Sequence, residues 1–274
     1  MAANERIAII GGGNLGTAIA EGLLASGELP ADRLTVTRRT VDRLTDLATR
    51  GVVTSGDNVA AVRDAAVVLV CVRPGQLDDV LEEVAPEVRA NEHVLVSTVS
   101  GVTTAQIAAH LPDGVAIVRA MPTIAVSVRE SMTCLAPAAA ASSEAQATVA
   151  RLVTPLGSIM IVREEQITPA TALCACGVAF FLRAIRAASQ GGVQVGFHAD
   201  EAIRLAAQTA RGAASLLLGS EVVHPENMID NVTTPRGVTI AGLNEMEHSG
   251  FSSAMIRGIV IAAEKAGVLY TAAD

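Results

Sequence analysis

Short apolar runs alternate with stretches of helical period between residues 7 and 163. The runs are rich in β-branched residues, as is typical of buried parallel strands. They predict strands at residues 7–10, 34–37, 52–54, 67–72, 94–97, 115–118, 132–135 and 158–162. Helical patterns lie between them at residues 14–26, 41–50, 76–84, 104–110 and 142–153. Because short connections between neighbouring parallel strands require right-handed crossovers, this alternation predicts an α/β fold with a parallel, doubly wound sheet.

The pattern changes near residue 163, beyond which no strand pattern is visible. Helical periods predict helices at residues 173–195, 199–218, 238–248 and 252–266, the first interrupted by Gly191 and Gly192. We therefore divide the chain into a first domain, residues 1–163, and an all-α second domain, residues 164–274. The helices of the second domain are apolar over wide arcs, so we expect them to pack against another copy in a homodimer at least.

Three glycines follow the first strand and open the first helix, namely Gly11, Gly13 and Gly16. Glycines at this spacing permit a tight turn, a close approach of the backbone to a pyrophosphate, and close packing of helix on strand. The helix N-terminus adds free N–H groups and a partial positive charge. With Asn14 and Leu15 inside the motif, we predict a dinucleotide site. The alternative is a glycine-rich turn in another kind of α/β protein.

The end of the second strand predicts which dinucleotide binds. Enzymes that use NAD often carry an acidic residue there, about twenty residues beyond the glycines, which binds the ribose 2′-hydroxyl. This chain has Thr37-Arg38-Arg39-Thr40 instead. Two guanidinium groups suit the 2′-phosphate of NADP, and a helix N-terminus is otherwise a poor place for cations. We predict NADPH as the cofactor, with NADH as the alternative if both arginines are solvated surface residues.

The composition argues against several other classes of partner. The net charge of −8 disfavours nucleic acid, and the aromatic content of 2% leaves few stacking platforms for single strands. The longest strongly apolar stretch, residues 65–72, is shorter than a membrane span, and the N-terminal sequence does not have the pattern of a signal peptide. The cysteines, Cys71, Cys134, Cys174 and Cys176, have a spacing that favours neither a disulfide nor a metal site. We expect a cytoplasmic protein without a metal or a membrane partner.

A polar turn at residues 233–237 leads into the helix predicted at residues 238–248. Backbone N–H groups at such a helix start can hold a substrate carboxylate, and Thr239 can offer a hydroxyl as donor or acceptor. An ordinary N-cap turn is the alternative, and on residue types alone it is the favoured interpretation.

Nearly the whole chain resembles the pyrroline-5-carboxylate reductase family, whose members catalyse the last step of proline synthesis. Five segments carry the resemblance in the family's order: residues 11–19, 72–76, 119–122, 171–179 and 234–239. The second, Val72-Arg73-Pro74-Gly75-Gln76, is similar to the family's Val-Lys-Pro-Gln. The third, Arg119-Ala-Met121-Pro122, is similar to Arg-Ala-Met-Pro-Asn, and the last, Thr234-Pro-Arg-Gly-Val-Thr239, to Ser-Pro-Gly-Gly-Thr-Thr.

The resemblance implies a Rossmann domain that binds NADP and an all-α dimerisation domain, with dimers often assembled into larger rings such as a homodecamer. It implies hydride transfer from NADPH to the cyclic imine of 1-pyrroline-5-carboxylate, which gives L-proline. It also implies that the C-terminal loop binds the substrate carboxylate through backbone amides, while Thr239 acts as the catalytic residue at the ring nitrogen. The implied substrate-binding residues are Thr234, Arg236, Gly237, Val238 and Thr239.

The predicted cofactor-binding residues combine the glycine motif, the arginine pair and the strand ends. They are Gly11, Gly13, Asn14, Leu15, Gly16, Arg38, Arg39, Val72, Arg73, Pro74 and Met121. Arg73 and Arg119 both follow strand ends at the expected cofactor edge, and either a ligand contact or a structural role is open for each.

Three residues depart from the family's pattern. Thr123 stands in place of an asparagine, Val178 in place of a proline, and Arg236 in place of the first loop glycine. If that glycine position needs a positive φ, Arg236 is strained; alternatively it adds a charge-assisted contact to the carboxylate. These departures leave a related cyclic imine open as the substrate.

Two functions of other kinds also remain open. A β-hydroxyacid dehydrogenase shares the N-terminal fold but uses a helix lysine as acid and base. The only lysine here, Lys265, lies near the end of the last helix and lacks the expected neighbours, which disfavours alcohol oxidation. The other candidate is a non-catalytic NADP-binding regulator that has kept the reductase fold. An imine reductase fits the lack of a His–carboxylate dyad, because a protonated imine needs mainly positioning and exclusion of water.

Overall fold

The structure is a computed structural model that describes residues 5–219 and 223–270. The described residues fall into two compact units, one formed by residues 5–178 with 261–270, the other by residues 179–260. The boundary lies later than the one predicted after residue 163 because the segment that follows still packs beneath the sheet. Ile167 and Ala170 are buried there against Met121 and Cys134. The predicted division into functional domains stays a prediction.

The first unit is built on one eight-stranded sheet in the order β3-β2-β1-β4-β5-β6-β7-β8. Its strands are β1 (Ile7–Ile10), β2 (Leu34–Thr37), β3 (Val53–Ser55), β4 (Val67–Val70), β5 (Val94–Ser97), β6 (Ala116–Met121), β7 (Ser131–Pro137) and β8 (Gly157–Ile161). The predicted α/β fold with a doubly wound sheet is confirmed, and each predicted strand is present with ends shifted by a few residues. Strand order reverses between β1 and β4, so their carboxyl ends open a crevice of the kind in which such sheets bind ligands.

The prediction that the whole sheet is parallel was wrong. Strand β7 runs antiparallel to β6, with Met121 opposite Cys134, and β8 then pairs parallel with β7. A parallel return needs a crossover of about a dozen residues or more, usually with a helix. The connection from β6 to β7, residues 122–130, holds only a short 3₁₀ helix at Ile124–Val128, so the chain turns back on itself.

Twelve α-helices occur among the described residues. They are α1 (Asn14–Ser26), α2 (Thr45–Thr49), α3 (Asn58–Arg63), α4 (Leu77–Val84), α5 (Thr104–Ala108), α6 (Ser143–Val153), α7 (Ile167–Ala170), α8 (Gly177–Gln194), α9 (Ala199–Leu217), α10 (Pro225–Val232), α11 (Val238–His248) and α12 (Phe251–Gly267). The sequence pattern missed α3, α7 and α10. A single π-helical turn, Thr171–Cys176, joins α7 to α8.

The predicted interruption at Gly191 and Gly192 was wrong, because α8 continues through both residues. A Cβ at Gly192 would lie 3.0 Å from the Cβ of Ala202 on α9. The glycine therefore permits the close approach of two helices rather than ending one of them.

Two apolar clusters cover the opposite faces of the sheet. Ile7 and Ile9 of β1 face the cluster that packs against α1 and α6, while Ala8 and Ile10 face the one that packs against α3, α4 and α5. Because both faces are buried, the strands read as continuous apolar runs, which is why the sequence pattern found them.

The second unit has almost no core of its own. Among its described residues only Ser189 and Ala202 are buried. Large apolar side chains are instead exposed along its helices, namely Phe181, Leu182, Phe197, Ile203, Leu205, Leu216, Ile256 and Val260. A group of helices that buries so little cannot stabilise itself, since burial of apolar surface is the main favourable contribution to folding.

The helical run Glu164–Gln194 contains an 18-residue window with a mean hydropathy of 1.6, so by length and composition alone it is apolar enough to span a membrane. The prediction that no segment is long and apolar enough to span a membrane was therefore wrong. It counted only uninterrupted apolar residues, whereas this run intersperses alanines, cysteines and phenylalanines with a few polar residues.

Candidate active site

The glycine loop is fixed by hydrogen bonds to the end of β2. The backbone N–H groups of Gly11 and Gly12 donate to the carbonyl oxygen of Thr37 at 3.2 Å and 2.6 Å. Gly11 has a φ of 105°, and a Cβ there would lie 2.5 Å from the carbonyl oxygen of Cys71. A Cβ at Gly16 would lie within van der Waals overlap of the Gly11 carbonyl. Both positions therefore require glycine, one for the turn and one for the packing of α1 on β1.

Gly13 differs from these two glycines because a Cβ on it would meet no atom within 4 Å. It is the N-cap of α1, and no side chain caps the helix. The first N–H groups of α1 are therefore left for an external acceptor, and the helix dipole favours an anion there. The side chain of Leu15 packs against the core, so the part of Leu15 suited to a ligand is its backbone.

A cavity of about 590 Å³ opens beside this loop, within the first unit. Its lining includes Ile10, Gly11, Gly12, Gly13, Thr37, Arg38, Arg39, Thr40, Gly56, Asn58, Cys71, Val72, Arg73, Gln76, Asp79, Val80 and Glu83. The structure thus brings together Gly11, Gly13, Arg38, Arg39, Val72 and Arg73 from the predicted cofactor set. Asn14, Leu15, Gly16, Pro74 and Met121 are not among the lining residues, and their cofactor contacts stay predictions.

The two arginines of the predicted 2′-phosphate site differ in their surroundings. The Nη1 atom of Arg38 donates to the carbonyl oxygen of Gly12 at 2.7 Å, so this side chain braces the glycine loop. Arg39 is exposed, and within the described ranges no side-chain partner is recorded for it. Of the two, Arg39 is therefore the guanidinium that does not serve to brace the glycine loop.

Asn58 and Glu83 also line the cavity, and sequence reasoning missed both. Asn58 is the first residue of α3, whose N-cap, Asp57, accepts from the backbone N–H of Ala60 at 2.9 Å. The hydroxyl of Thr37 donates to Oδ1 of Asn58 at 2.6 Å. Nδ2 of Asn58 in turn donates to Oε2 of Glu83 at 2.8 Å. The Asp-Asn pair that starts α3 was the available signal, since Asp is a preferred N-cap.

Cys71 lies at the end of the crevice but does not have the properties of a nucleophile. Burial raises the pKa of its thiol to about 11, so the thiol is protonated at neutral pH. All four cysteines are free. The described residues contain no group of three or more His, Cys, Asp or Glu side chains arranged to hold a metal.

Arg119 and Thr123, which surround the Met121-Pro122 segment, are both buried outside the cavity. Nη1 of Arg119 lies 3.6 Å from Oε1 of Glu164, while its Nε and Nη2 have no hydrogen-bond partner. Thr123 caps the 3₁₀ turn that follows β6, and its backbone N–H donates to the hydroxyl of Ser131 at 3.0 Å. The structure thus gives Arg119 an ion-pair partner, whereas Arg73 lines the cavity.

The C-terminal loop forms a tight turn in front of α11. The N–H of Gly237 donates to the carbonyl oxygen of Thr234 at 2.8 Å, and Arg236 has a φ of 59°. Proline followed by a residue of positive φ is the signature of a type II turn, in which glycine is the usual residue at the second central position. Arg236 therefore occupies a left-handed conformation that costs an L-residue about 1 kcal/mol. A Cβ at Gly237 would lie 2.5 Å from Oγ1 of Thr234, so the turn also requires Gly237.

The N-terminus of α11 has no side-chain cap. Gly237 is its N-cap, and its first turn carries no acidic residue. Val238 and Thr239 are exposed at this end of the helix. The predicted substrate residues Thr234, Arg236, Gly237, Val238 and Thr239 thus lie in one turn and the start of one helix, with backbone donors that suit a carboxylate.

Two family models match the chain. The one described as pyrroline-5-carboxylate reductase dimerisation matches residues 164–269. The one described as NADP oxidoreductase, coenzyme F420-dependent, matches residues 6–101.

Two curated relatives from Dictyostelium discoideum are similar over almost the whole chain. Pyrroline-5-carboxylate reductase 1 is 49% identical over 276 residues, covering 97% of this chain, which spans 50% of that relative's length. Pyrroline-5-carboxylate reductase 2 is 43% identical over 277 residues, covering 96% of this chain and 92% of that relative.

Solved structures extend the likeness to the fold. A pyrroline-5-carboxylate reductase from Coxiella burnetii has a TM-score of 0.86 at 29% identity, covering 97% of this chain and 98% of that chain. Pyrroline carboxylate reductase of Plasmodium falciparum, solved with NADP bound, has a TM-score of 0.88 at 21% identity, with coverage of 97% and 98%. The second likeness concerns the fold alone.

Proposed function

Because the chain belongs to the pyrroline-5-carboxylate reductase family, we propose that it reduces 1-pyrroline-5-carboxylate to L-proline with NADPH. The observation that carries the proposal is the uncapped N-terminus of α11 behind the Thr234–Gly237 turn. It offers backbone donors to a carboxylate in a chain whose other unit has a cavity suited to a dinucleotide. The activity is stated for this chain, which spans half of one relative and 92% of the other.

The cofactor cavity fits a dinucleotide on its own geometry. Gly11 permits the tight turn and Gly16 the close packing of α1 on β1, and the open side of Gly13 allows a pyrophosphate to approach the start of α1. When bound, NADPH supplies a hydride from C4 of its nicotinamide ring. Arg38 and Arg39, which line the cavity at the end of β2, bind the 2′-phosphate on this proposal.

The protein's part in the reaction is chiefly to bind the substrate, to orient it and to exclude water from it. The carboxylate of the substrate binds the first N–H groups of α11, with Thr234 and Gly237 holding the turn in shape. The hydroxyl of Thr239 binds the ring nitrogen, which is protonated before the reaction and becomes an amine as hydride arrives at C5. No residue has to abstract a proton at carbon, so positioning supplies most of the rate enhancement.

Lys265 does not support the rival β-hydroxyacid dehydrogenase. It lies exposed near the end of α12 and is not among the residues that line the cavity of its unit. An acid and base for alcohol oxidation must lie within hydrogen-bond reach of the reacting oxygen.

We propose that the working unit is a homodimer formed through the second unit. The support is the exposed apolar surface of residues 179–260, where only two described residues are buried, and the dimerisation model that matches residues 164–269. On this proposal the apolar run Glu164–Gln194 packs against a second copy rather than lipid. Assembly of dimers into a ring such as a decamer, and a cytoplasmic location consistent with four free cysteines, are part of the same proposal. Sedimentation of the purified chain in the absence of detergent measures the assembly directly.

The decisive experiment follows the absorbance of NADPH at about 340 nm when 1-pyrroline-5-carboxylate is added to the purified chain. Consumption that yields proline supports the proposal. A panel of six-membered cyclic imines with NADPH, and of β-hydroxy acids with NADP⁺, tests the substrate class, since Arg236 departs from the family's pattern. Binding of NADPH without consumption of any substrate would favour a non-catalytic regulator.

A further inference from the structure

Glu83 is hydrogen-bonded to Asn58 at the end of the cofactor cavity where the ribose is proposed to bind, and we call this Glu83–Asn58 contact the tether. The proposed role of the arginine pair does not account for a carboxylate at this place. Glu83 projects from the last turn of α4, and its Oε2 accepts from Nδ2 of Asn58 at 2.8 Å. Both residues line the cavity together with Arg38, Arg39 and Gly56. A carboxylate therefore stands in the part of the cavity where a 2′-phosphate is proposed to bind.

The tether determines which way the amide of Asn58 faces. A carboxylate can only accept hydrogen bonds, so the amide nitrogen of Asn58 must face Glu83. The hydroxyl of Thr37 then donates to Oδ1 of Asn58 from the opposite side, at 2.6 Å. With its orientation held from both ends, the amide keeps one N–H donor for a ligand.

Thr37 couples this tether to the glycine loop. Its hydroxyl binds Asn58, while its carbonyl oxygen accepts from Gly11 and Gly12. Thr37 itself is completely buried at the end of β2. The chain from Glu83 through Asn58 and Thr37 to the loop therefore links the ribose end of the cavity to its pyrophosphate end.

The charge of Glu83 opposes that of the arginines. The charged side chains of the lining are Arg38, Arg39, Arg73, Asp79 and Glu83, three cations against two anions. A phosphate that accepts from the free N–H of Asn58 would lie close to the Glu83 carboxylate, and the two negative charges would repel each other. A ribose hydroxyl at the same place experiences no such repulsion and can donate to the carboxylate.

We infer that Glu83 is a positioning and specificity-determining residue, which orients Asn58 toward the ribose and limits the preference for NADPH over NADH. The inference rests on the proposed function, because it assigns a role toward a nicotinamide dinucleotide. It divides into two separable effects: the hydrogen bond to Asn58 supports either dinucleotide, and the negative charge disfavours the 2′-phosphate alone.

Two substitutions at the same position separate these effects. In Glu83→Gln the side-chain oxygen still accepts from Asn58, but the charge is gone. In Glu83→Ala both are lost, and the amide of Asn58 is held by Thr37 alone. The control is Glu82→Gln on the same helix, an exposed residue outside the cavity lining that lies 3.7 Å from His110. Thermal melting of each variant checks that the fold is retained.

The readout is calorimetric binding of adenosine 2′,5′-bisphosphate and of adenosine 5′-monophosphate to the protein without substrate. Glu83→Gln is expected to lower the dissociation constant of the bisphosphate about three- to tenfold and to leave that of the monophosphate within about twofold. The gain for the bisphosphate should disappear at about 0.5 M salt, which screens the charge. Glu83→Ala is expected to raise the dissociation constant of the monophosphate several-fold at both salt concentrations, because the amide of Asn58 loses one of the two hydrogen bonds that orient it. The control should match the wild type.

The outcomes distinguish this inference from the proposed function. If the wild type binds the bisphosphate but Glu83→Gln leaves the ratio of the two dissociation constants unchanged, the role of Glu83 is overturned and the proposed function stands. If the wild type binds neither probe nor NADPH, the proposed function and this inference both fail.

Discussion

The guanidinium of Arg119 on β6 lies 3.6 Å from the carboxylate of Glu164, just beyond β8. The Arg119 side chain is only 4% exposed, and its Nε and Nη2 have no hydrogen-bond partner. Burial lowers the pKa of Arg119, while Glu164 opposes that shift. Glu164 also accepts from the hydroxyl of Thr104, at 2.9 Å, and from its backbone N–H. One carboxylate therefore provides the counter-charge of a buried cation and accepts hydrogen bonds from the first turn of α5.

We expect Glu164→Ala to lower the free energy of unfolding by about 2–4 kcal/mol, because it leaves a buried guanidinium without a counter-charge. Chemical denaturation measures the change. The matched control is Glu165→Ala at the next position, where an exposed carboxylate pairs with the exposed Arg163, and little change is expected there. Equal effects of the two substitutions would show that the Arg119–Glu164 pair contributes nothing beyond an exposed one.

Arg236 has a left-handed backbone conformation, and substitutions there separate the cost of backbone strain from a contribution to substrate binding. Arg236→Gly should raise the stability of the turn by about 1 kcal/mol, because glycine adopts a positive φ without a steric cost. Arg236→Ala removes the same charge but keeps the Cβ, so it should give no such gain. If the guanidinium contacts the substrate carboxylate, both variants raise the KM for pyrroline-5-carboxylate to the same extent. A KM raised in only one of them would contradict a charge-assisted contact.

The sequence predicted the fold well where burial dictates the residue type. Ile7, Ile9 and Ile10 are buried on both faces of the sheet, and such strands must be apolar throughout. The direction of β7 could not be predicted, because the apolar pattern of a strand is the same in either direction. It depends on the short connection after Met121, which does not allow a crossover.

The site was predicted less completely for a different reason. The glycines and arginines belong to motifs that are contiguous in sequence, and six of the predicted cofactor residues line the cavity. Asn58 and Glu83 come together only through the packing of α3 against α4, and α3 is too short to show a helical period. The sequence predicted that Arg236 is strained if its position needs a positive φ. The observed φ of 59° meets this condition.

Thr239 is expected to act on turnover rather than on the cofactor. Thr239→Ala should lower kcat with pyrroline-5-carboxylate about 10- to 100-fold, the cost of a hydrogen bond to a charged group. The dissociation constant for NADPH should remain within about twofold. Thr239→Ser keeps the hydroxyl and should retain most of the activity. Unchanged turnover in the alanine variant would remove Thr239 from the mechanism.

The two arginines at the end of β2 should respond differently to truncation. Arg39→Ala should raise the dissociation constant for NADP about tenfold and leave that for NAD unchanged, because an exposed guanidinium serves only the 2′-phosphate. Arg38→Ala should weaken both dinucleotides, because Arg38 also braces the glycine loop through the carbonyl of Gly12. Tryptophan is absent from the chain, so protein emission is not useful and calorimetry is the suitable measurement. Identical selectivity changes in the two variants would contradict the bracing role.

Alkaline pH should destabilise the protein through its buried thiols. Burial raises the pKa of Cys134 from an ordinary value of about 9 to about 11, with the Cys174 thiol adding to the shift. A folded-state pKa above the unfolded value means that the associated stability is fully present below about pH 9 and is lost as the pH rises to about 11. Two units correspond to at most about 2–3 kcal/mol.

This loss is measurable here because the chain is poor in the residue types that ordinarily ionise at alkaline pH, with a single tyrosine and a single lysine. Urea denaturation of the wild type between pH 8 and 11 should show a fall in the free energy of unfolding that Cys134→Ala reduces. Val118→Ala, a buried truncation without a titratable group, should lower stability by the same amount at every pH. If the Cys134→Ala profile keeps the wild-type slope, the Cys134 thiol is not the source of the fall, which must then come from Cys71, Cys174 or the exposed groups.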